Sequence, residues 1–321
     1  MLRLWCVVAT GLWLVGSSSA QGQRPIQWIS NVQQGVGKAK RTGLPLMFYI
    51  APSSRVDDGD LDDAQQEAFR NPLVRGIAEE RFVAVRLARS NETAKLLAEM
   101  GVGGGATGGG LVRYGGYVVC GTPNGELLGV IAPGQVASAK ALAGRMTTVF
   151  REYRVKIFDE EVKPKLKREG ARPADIINAL KLVDRFVITE ADGELVALLE
   201  EAQLSKTVKK RLYDVLAVLS TPRGVKALLE IAPRDKLAAA ALARCTPAGA
   251  DVIWSTALQG DKEQFIAAYT AVTKICKMKG VKPRGFWGGP RQQLIDAEIE
   301  RVTKEVEKTA KRWRETYGQY R

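Results

Sequence analysis

The sequence predicts an α/β domain followed by an all-α helical-repeat domain, and three observations predict it. Residues 26–150 alternate strand-length apolar runs with stretches of helical periodicity. From Glu152 onward glycine thins, and alanine, leucine, lysine and glutamate take over. Beyond that shift, two nearly identical strings, Leu195-Val-Ala-Leu-Leu-Glu-Glu-Ala202 and Val225-Lys-Ala-Leu-Leu-Glu-Ile-Ala232, stand 30 residues apart. A length of 321 residues suits two domains, at about 100–200 residues each. A composition 45% hydrophobic and 26% charged is that of a chain that folds.

The first element is an address. Arg3 supplies a positive start, Leu4 to Gly16 is an apolar run, and Ser18 and Ala20 place small side chains where a signal peptidase reads. The run falls short of the ~20 residues that a transmembrane helix needs. Residues 1–20 are therefore expected to be a signal peptide, giving an exported, periplasmic or secreted chain with no membrane span after cleavage.

The α/β domain is expected over 21–151. Trp28, Ile29, Val32, Val36 and Ala39 recur at helical spacing, and Leu44 to Ile50 is a run suited to a strand buried on both faces. Asp60 to Gly76 reads as a helix broken near Asn71-Pro72, and Phe82 to Leu87 as a second strand. Ser90 is placed to cap a helix through Met100. Tyr117 to Cys120 and Glu126 to Ile131 flank Pro123-Asn124-Gly125, a hairpin signal because Asn-Gly accepts the positive φ of a tight turn. A helix from Gln135 to Phe150 closes the domain.

This order resembles the thioredoxin-like fold. The likeness is closest to the exported bacterial branch, with Trp28, then Ala39-Lys40-Arg41-Thr42-Gly43-Leu44-Pro45-Leu46 before the first strand. Asn71-Pro72, Val74, Phe82-Val83, Val85, Gly101-Val102 and Asn124-Gly125-Glu126 carry it further, over about 125 residues. The resemblance implies a Cys-x-x-Cys motif after the first strand, at a helix N-terminus that lowers the thiolate pKa. Here that region contains Ser53, Ser54, Arg55 and Val56 and no cysteine. It also implies a cis-proline opposite the motif, and the matching position falls at Gly115 or Gly116, with Gly116 taken as the equivalent. The domain is thus expected to be redox-inactive.

Two other features of this half point to no ligand. Gly103, Gly105 and Gly108 make a G-x-G-x-x-G string, but it follows a helix and precedes a strand, the reverse of a phosphate cradle. A flexible insertion is expected there. Asp57, Asp58, Asp60, Asp62 and Asp63 lack the glycine and glutamate of a calcium loop and are expected to favour the N-terminus of the following helix. No metal and no cofactor are expected.

Residues 152–173, charged and broken by prolines, read as a helical connection, and residues 174–280 as repeats. Val252 to Leu258 is a looser third copy, while Val208–Leu219, Lys236–Ala243 and Glu263–Met278 fill the spaces between copies. Thr221-Pro222, Ala232-Pro233 and Thr246-Pro247 mark turns. A short helix pair cannot bury its apolar face alone, so neighbours stack. The pattern resembles HEAT-like repeats, with an irregular bundle as the alternative. Residues 281–321 end in a long helix from Pro290, whose stripe runs Ile295, Ile299, Val302, Val306, Ala310, Trp313 and Tyr317. Packing on the chain's own helices is the favoured use of that stripe, and a homodimer seam the other.

The absence of histidine (His 0) excludes Ser-His-Asp triads, Cys-His dyads and histidine metal centres built by this chain alone. After the leader the cysteines are Cys120, in a strand, and Cys245 and Cys276, in neighbouring helices. Cys245 and Cys276 are a candidate disulfide, with unpaired thiols slightly favoured. The net charge of +13 sits mostly in the helical half, densest at Lys274, Lys277, Lys279, Lys282 and Arg284, a candidate surface for an anionic partner. The expected function is a non-catalytic interaction or scaffold protein with a protein partner. The alternatives are a thiol–disulfide protein using Cys120, or a basic module that binds an anionic envelope component. Nucleic acid is not expected.

Overall fold

A computed structural model describes residues 26–52, 59–102, 115–167, 171–200 and 204–317. The expected signal peptide and the glycine string lie outside the described residues. The chain divides into two compact units, Met1–Val149 and Phe150–Arg321, the division falling inside a helix.

In the first unit, α1 (Val32–Thr42) is followed by β1 (Leu46–Ile50), α2 (Gly59–Arg70), α3 (Pro72–Arg81), β2 (Val83–Leu87), α4 (Asn91–Glu99), β3 (Tyr117–Gly121), β4 (Leu127–Ile131) and α5 (Pro133–Val136). The helix α6 (Ala139–Ile157) leads out of it. The sheet order is β2-β1-β3-β4. β1 pairs parallel with β2 (Phe48 opposite Val85) and antiparallel with β3 (Phe48 opposite Val119). As the apolar run requires, all five residues of β1 are buried. Leu46, Phe48 and Ile50 join Val83, Val85, Leu97 and Val119 in one core. On the alternate side, Tyr49 meets Phe69 and Trp28 at centroid separations of 4.7 and 5.4 Å.

Helix spacing misplaces the start of α1. Trp28 and Ile29 are not helical: Ile29 bridges Val85, its N–H donating to the Ala84 carbonyl at 3.0 Å. Asn31 then caps the helix by accepting from the Gln34 N–H. The bridge satisfies backbone groups on the outer edge of β2 that would otherwise be open to pairing. The break at Asn71-Pro72 is real, with Asn71 capping α3, but α3 runs on to Arg81. The hairpin closes at Gly125 (φ 90°), with both Asn124 and Glu126 N–H donating to Thr122 Oγ1.

In the second unit, the end of α6 continues through a wide turn (Phe158–Val162) into α7 (Lys163–Leu166). There follow α8 (Pro173–Phe186), α9 (Asp192–Leu199), α10 (Lys206–Leu219), α11 (Pro222–Ile231), α12 (Lys236–Leu242), α13 (Pro247–Ala257), α14 (Lys262–Ile275), a single turn (Arg284–Gly288) and α15 (Gln292–Tyr317). These helices stack in two layers, α8-α10-α12-α14 and α9-α11-α13-α15. Leu195 to Leu199 of the first matching string falls on α9 and Val225 to Ile231 of the second on α11, and these helices are neighbours in one layer. Thr-Pro begins α11 and α13 for a local reason. Proline at the first helical position lacks only an N–H that would be unpaired, and Thr221 Oγ1 accepts from the Gly224 N–H. The same threonine hydroxyl donates back to Asp192 at the start of α9, tying one repeat to the next.

The stripe on α15 lies against its own unit. Val302, Val306 and Ala310 are buried, and Trp254 on α13 donates from Nε1 to Thr303 Oγ1 at 2.8 Å. Within that seam sits a carboxylate, Glu298, only 5% exposed. It accepts from Tyr269 Oη at 2.7 Å and from Arg301 Nε and Nη2 at 2.8 and 2.6 Å. Tyr269 Oη in turn accepts the Lys282 N–H at 2.6 Å. Desolvation pushes the Glu298 carboxyl up, but the Arg301 and Tyr269 hydrogen bonds and the charges of Arg301 and Lys282 outweigh it and hold it below the ordinary carboxylate value.

A depressed folded-state pKa contributes stability that is complete above the unfolded value of about 4.3 and is lost as pH falls through the folded value. Glu298→Gln is therefore expected to lower stability at neutral pH and to flatten the acid limb of the stability profile, read by urea unfolding between neutral pH and about pH 3. Tyr269→Phe should cost about 1–3 kcal/mol at neutral pH in the same assay, since it strands the Lys282 N–H and takes one hydrogen bond from a buried carboxylate that keeps Arg301.

Candidate functional site

The sheet end at which the resemblance would place a redox motif is built from three elements. β1 ends in Ala51-Pro52, β3 is entered through Gly115-Gly116, and β4 leaves into Pro133. Ser53, Ser54, Arg55 and Val56 lie outside the described residues. The Gly116 N–H donates to the Ile50 carbonyl at 2.6 Å, which sets the entry of β3 beside the end of β1. No cis peptide occurs among the described residues. Both glycines are required here: φ is +69° and +76°, and a Cβ on Gly115 would lie 2.1 Å from the Ala51 carbonyl oxygen.

One side chain closes this end, and sequence reasoning missed it. Gln65 on α2 is fully buried. Its Nε2 donates to the Gly116 carbonyl at 2.9 Å and to the Pro133 carbonyl at 3.1 Å, while Oε1 accepts from Tyr49 Oη at 3.0 Å. The available signal was its i,i+4 relation to Phe69, which puts a glutamine on the inward face of α2. Burial, followed by the charge of Asp62, raises the Tyr49 hydroxyl above its ordinary value, with Arg86 opposing. The phenol is therefore neutral at physiological pH. The cluster joins β1, α2, β3 and β4 through neutral hydrogen bonds and offers no charged group for proton transfer.

Among the described residues the thiols of Cys120, Cys245 and Cys276 are free and lie in three different settings. Cys120 is fully buried in β3, opposite Met47. Burial pushes its thiol up to about 12, with the Arg145 charge pulling the other way. Cys245 is buried after α12; burial raises it to about 12 against the Ser220 hydrogen bond and the Arg244 charge. Cys276, half-buried at the end of α14, is raised by burial and by Glu305 and lowered by a hydrogen bond with Thr309. The candidate partners Cys245 and Cys276 are not joined.

The basic run begins in the last turn of α14 and continues beyond it. Lys274, Lys277, Lys279, Lys282 and Arg284 are all exposed. Arg284 is engaged by Glu263, with both carboxylate oxygens at 2.7 Å from Nη2. The Lys282 ammonium stands 5.6 Å from the Phe286 ring centre. Beside the run, Phe265, Tyr269 and Phe286 surround Trp287 at 4.7 to 5.1 Å between ring centres. A shallow cleft of about 290 Å³ opens there between Leu258, Lys262, Phe265, Trp287, Ile295 and Ile299. Among the described residues no group of three or more cysteine, aspartate or glutamate side chains is placed to hold a metal ion, and no helix is long and apolar enough to cross a membrane.

Gln65→Leu is expected to destabilise the chain by about 3 kcal/mol, because two carbonyls and a phenol lose their partner; chemical denaturation measures it. Maleimide labelling of the native protein, mapped by peptide mass spectrometry, should mark Cys276 and leave Cys120 and Cys245 unlabelled until denaturant is added.

No protein-family model matches this chain, and no curated protein or solved structure matches it either.

Proposed function

We propose that this chain is an exported, non-catalytic interaction or scaffold protein, in which a redox-inactive thioredoxin-like domain is followed by a HEAT-like helical platform. The observation that carries the reading is the two-layer stacking of α8 to α15. Stacked helix pairs bury their shared faces and leave a continuous outer surface, which suits binding more than chemistry. The sheet order β2-β1-β3-β4, with β1 and β2 parallel and the β3–β4 hairpin antiparallel, supports the thioredoxin-like part. So does the approach of Gly115-Gly116 to the end of β1. Cys120 does not favour a thiol–disulfide activity. Thiolate chemistry needs an accessible sulfur with a depressed pKa, and this sulfur is buried in mid-sheet with its pKa raised.

The test has two arms on the full chain. Photo-crosslinking residues placed at the exposed positions Lys210 and Lys226 should yield discrete, reproducible protein adducts in intact cells. The purified protein should reduce insulin disulfides no faster than background. Insulin turnover that disappears in Cys120→Ser would refute the non-catalytic reading, and absence of adducts from both positions would refute the platform.

A further inference from the structure

The loop from Cys276 to Pro283 is held from beneath and charged on top. Its backbone is anchored at two points by the buried Glu298 cluster: Arg301 Nη1 donates to the Lys279 carbonyl at 3.3 Å, and Lys282 N–H donates to Tyr269 Oη at 2.6 Å. Lys277 (φ 53°) ends α14, its N–H returning to the Lys274 carbonyl, and Met278 N–H returns to Thr273. Between the anchors the chain turns at Gly280 (φ 67°) and raises Val281, which is 50% exposed. Lys282 follows that valine directly and Lys279 precedes it across Gly280, with Lys277 earlier in the loop and Lys274 in the last turn of α14. Among the described residues none of these four lysines has an ion pair, whereas Arg284 is taken by Glu263.

We propose that this loop is a docking surface for an anionic lipid bilayer, the four lysines meeting lipid phosphates and Val281 entering the boundary between headgroups and acyl chains. A soluble polyanion, or an acidic protein face, would reward the lysines alone. An aliphatic side chain held at the crest between two lysines gains only where an apolar phase lies directly behind a layer of negative charge. Lysine stems suit that boundary, since the methylenes sit at the apolar level while the ammonium stays with the phosphates. The two backbone anchors mean that the loop is already ordered before it binds, so little conformational freedom is lost. The assignment concerns this loop alone and stands apart from the scaffold reading.

Co-sedimentation of the full chain with vesicles of equal parts phosphatidylglycerol and phosphatidylcholine tests it, with pure phosphatidylcholine vesicles and soluble dextran sulfate alongside. Binding is expected on the anionic vesicles, falling steeply with salt, and not on the neutral ones. Neutralising one lysine should weaken vesicle binding about fivefold, and Lys277→Gln with Lys279→Gln about 25-fold. Val281→Ser should weaken vesicle binding several-fold and leave dextran sulfate binding unchanged. These side chains are exposed, so unchanged thermal unfolding should confirm that each variant is folded. Equal binding to neutral vesicles would overturn the proposal, as would lysine variants that bind like the parent. A Val281→Ser variant with full vesicle affinity would also overturn it, pointing to a polyanion or an acidic protein face instead.

Discussion

A buried polar group must have its hydrogen bonds made inside the protein, and each unit of this chain is organised by one that does. Leaving such a group unpaired costs about 1–3 kcal/mol, and more for a charged one. In the first unit Gln65 spends both amide protons and its carbonyl on three different elements. In the second, Glu298 binds α14 to α15 and, through Tyr269 and Arg301, fixes the loop between them. Hydrophobic burial brings these elements together without choosing their register. The polar side chains choose it, because a shift of one residue would strand several donors at once.

The same demand explains Arg154, a cation only 6% exposed near the start of the second unit. Its guanidinium donates to the Val187 carbonyl at 2.9 Å and to Glu190 at 3.0 Å. Val187 has a left-handed backbone (φ 50°), which no β-branched residue favours. That conformation ends α8 and turns its last carbonyl toward Arg154, so the strain at Val187 is offset by a charge-assisted hydrogen bond. The helix end thus gains a donor and the guanidinium two acceptors, while Arg154 Nε stays buried without a partner.

Local signals in the sequence were sufficient for most of the elements. The strand within the apolar run from Leu44 to Ile50 (β1 begins at Leu46), the Asn-Gly hairpin, the Ser90 cap, the helix break at Asn71-Pro72 and the turns at Thr221-Pro222 and Thr246-Pro247 are each determined by neighbours within a few residues. The errors came where tertiary structure overrode spacing. Trp28 and Ile29 fit a helical stripe, yet the exposed edge of β2 needed backbone partners and took them from Ile29. Gln65 and Glu298 are polar residue types, and the partners that let them be buried include distant ones: Gly116 and Pro133 stand 51 and 68 positions from Gln65, and Tyr269 stands 29 from Glu298. No short window contains such a pairing. The basic run was legible as charge, but its division into one paired arginine and four unpaired lysines depends on Glu263, which is 21 residues from Arg284.

The cysteines show how far structure goes beyond composition in deciding chemistry. An oxidising compartment would permit a disulfide, but permission is not geometry. Cys245 sits in the turn between α12 and α13, with its Cβ 3.1 Å from the position a Cβ on Gly249 would take. Cys276 ends α14 beside Thr309 of α15. Cys120, Cys245 and Cys276 lie in different seams, and burial raises the pKa of each. A fully enclosed sulfur such as Cys120 or Cys245 is a poor nucleophile and a good space-filler. The chain therefore carries Cys120 and Cys245 as core residues and Cys276 as a half-buried one, and what it presents to solvent are helix surfaces and an ordered basic loop.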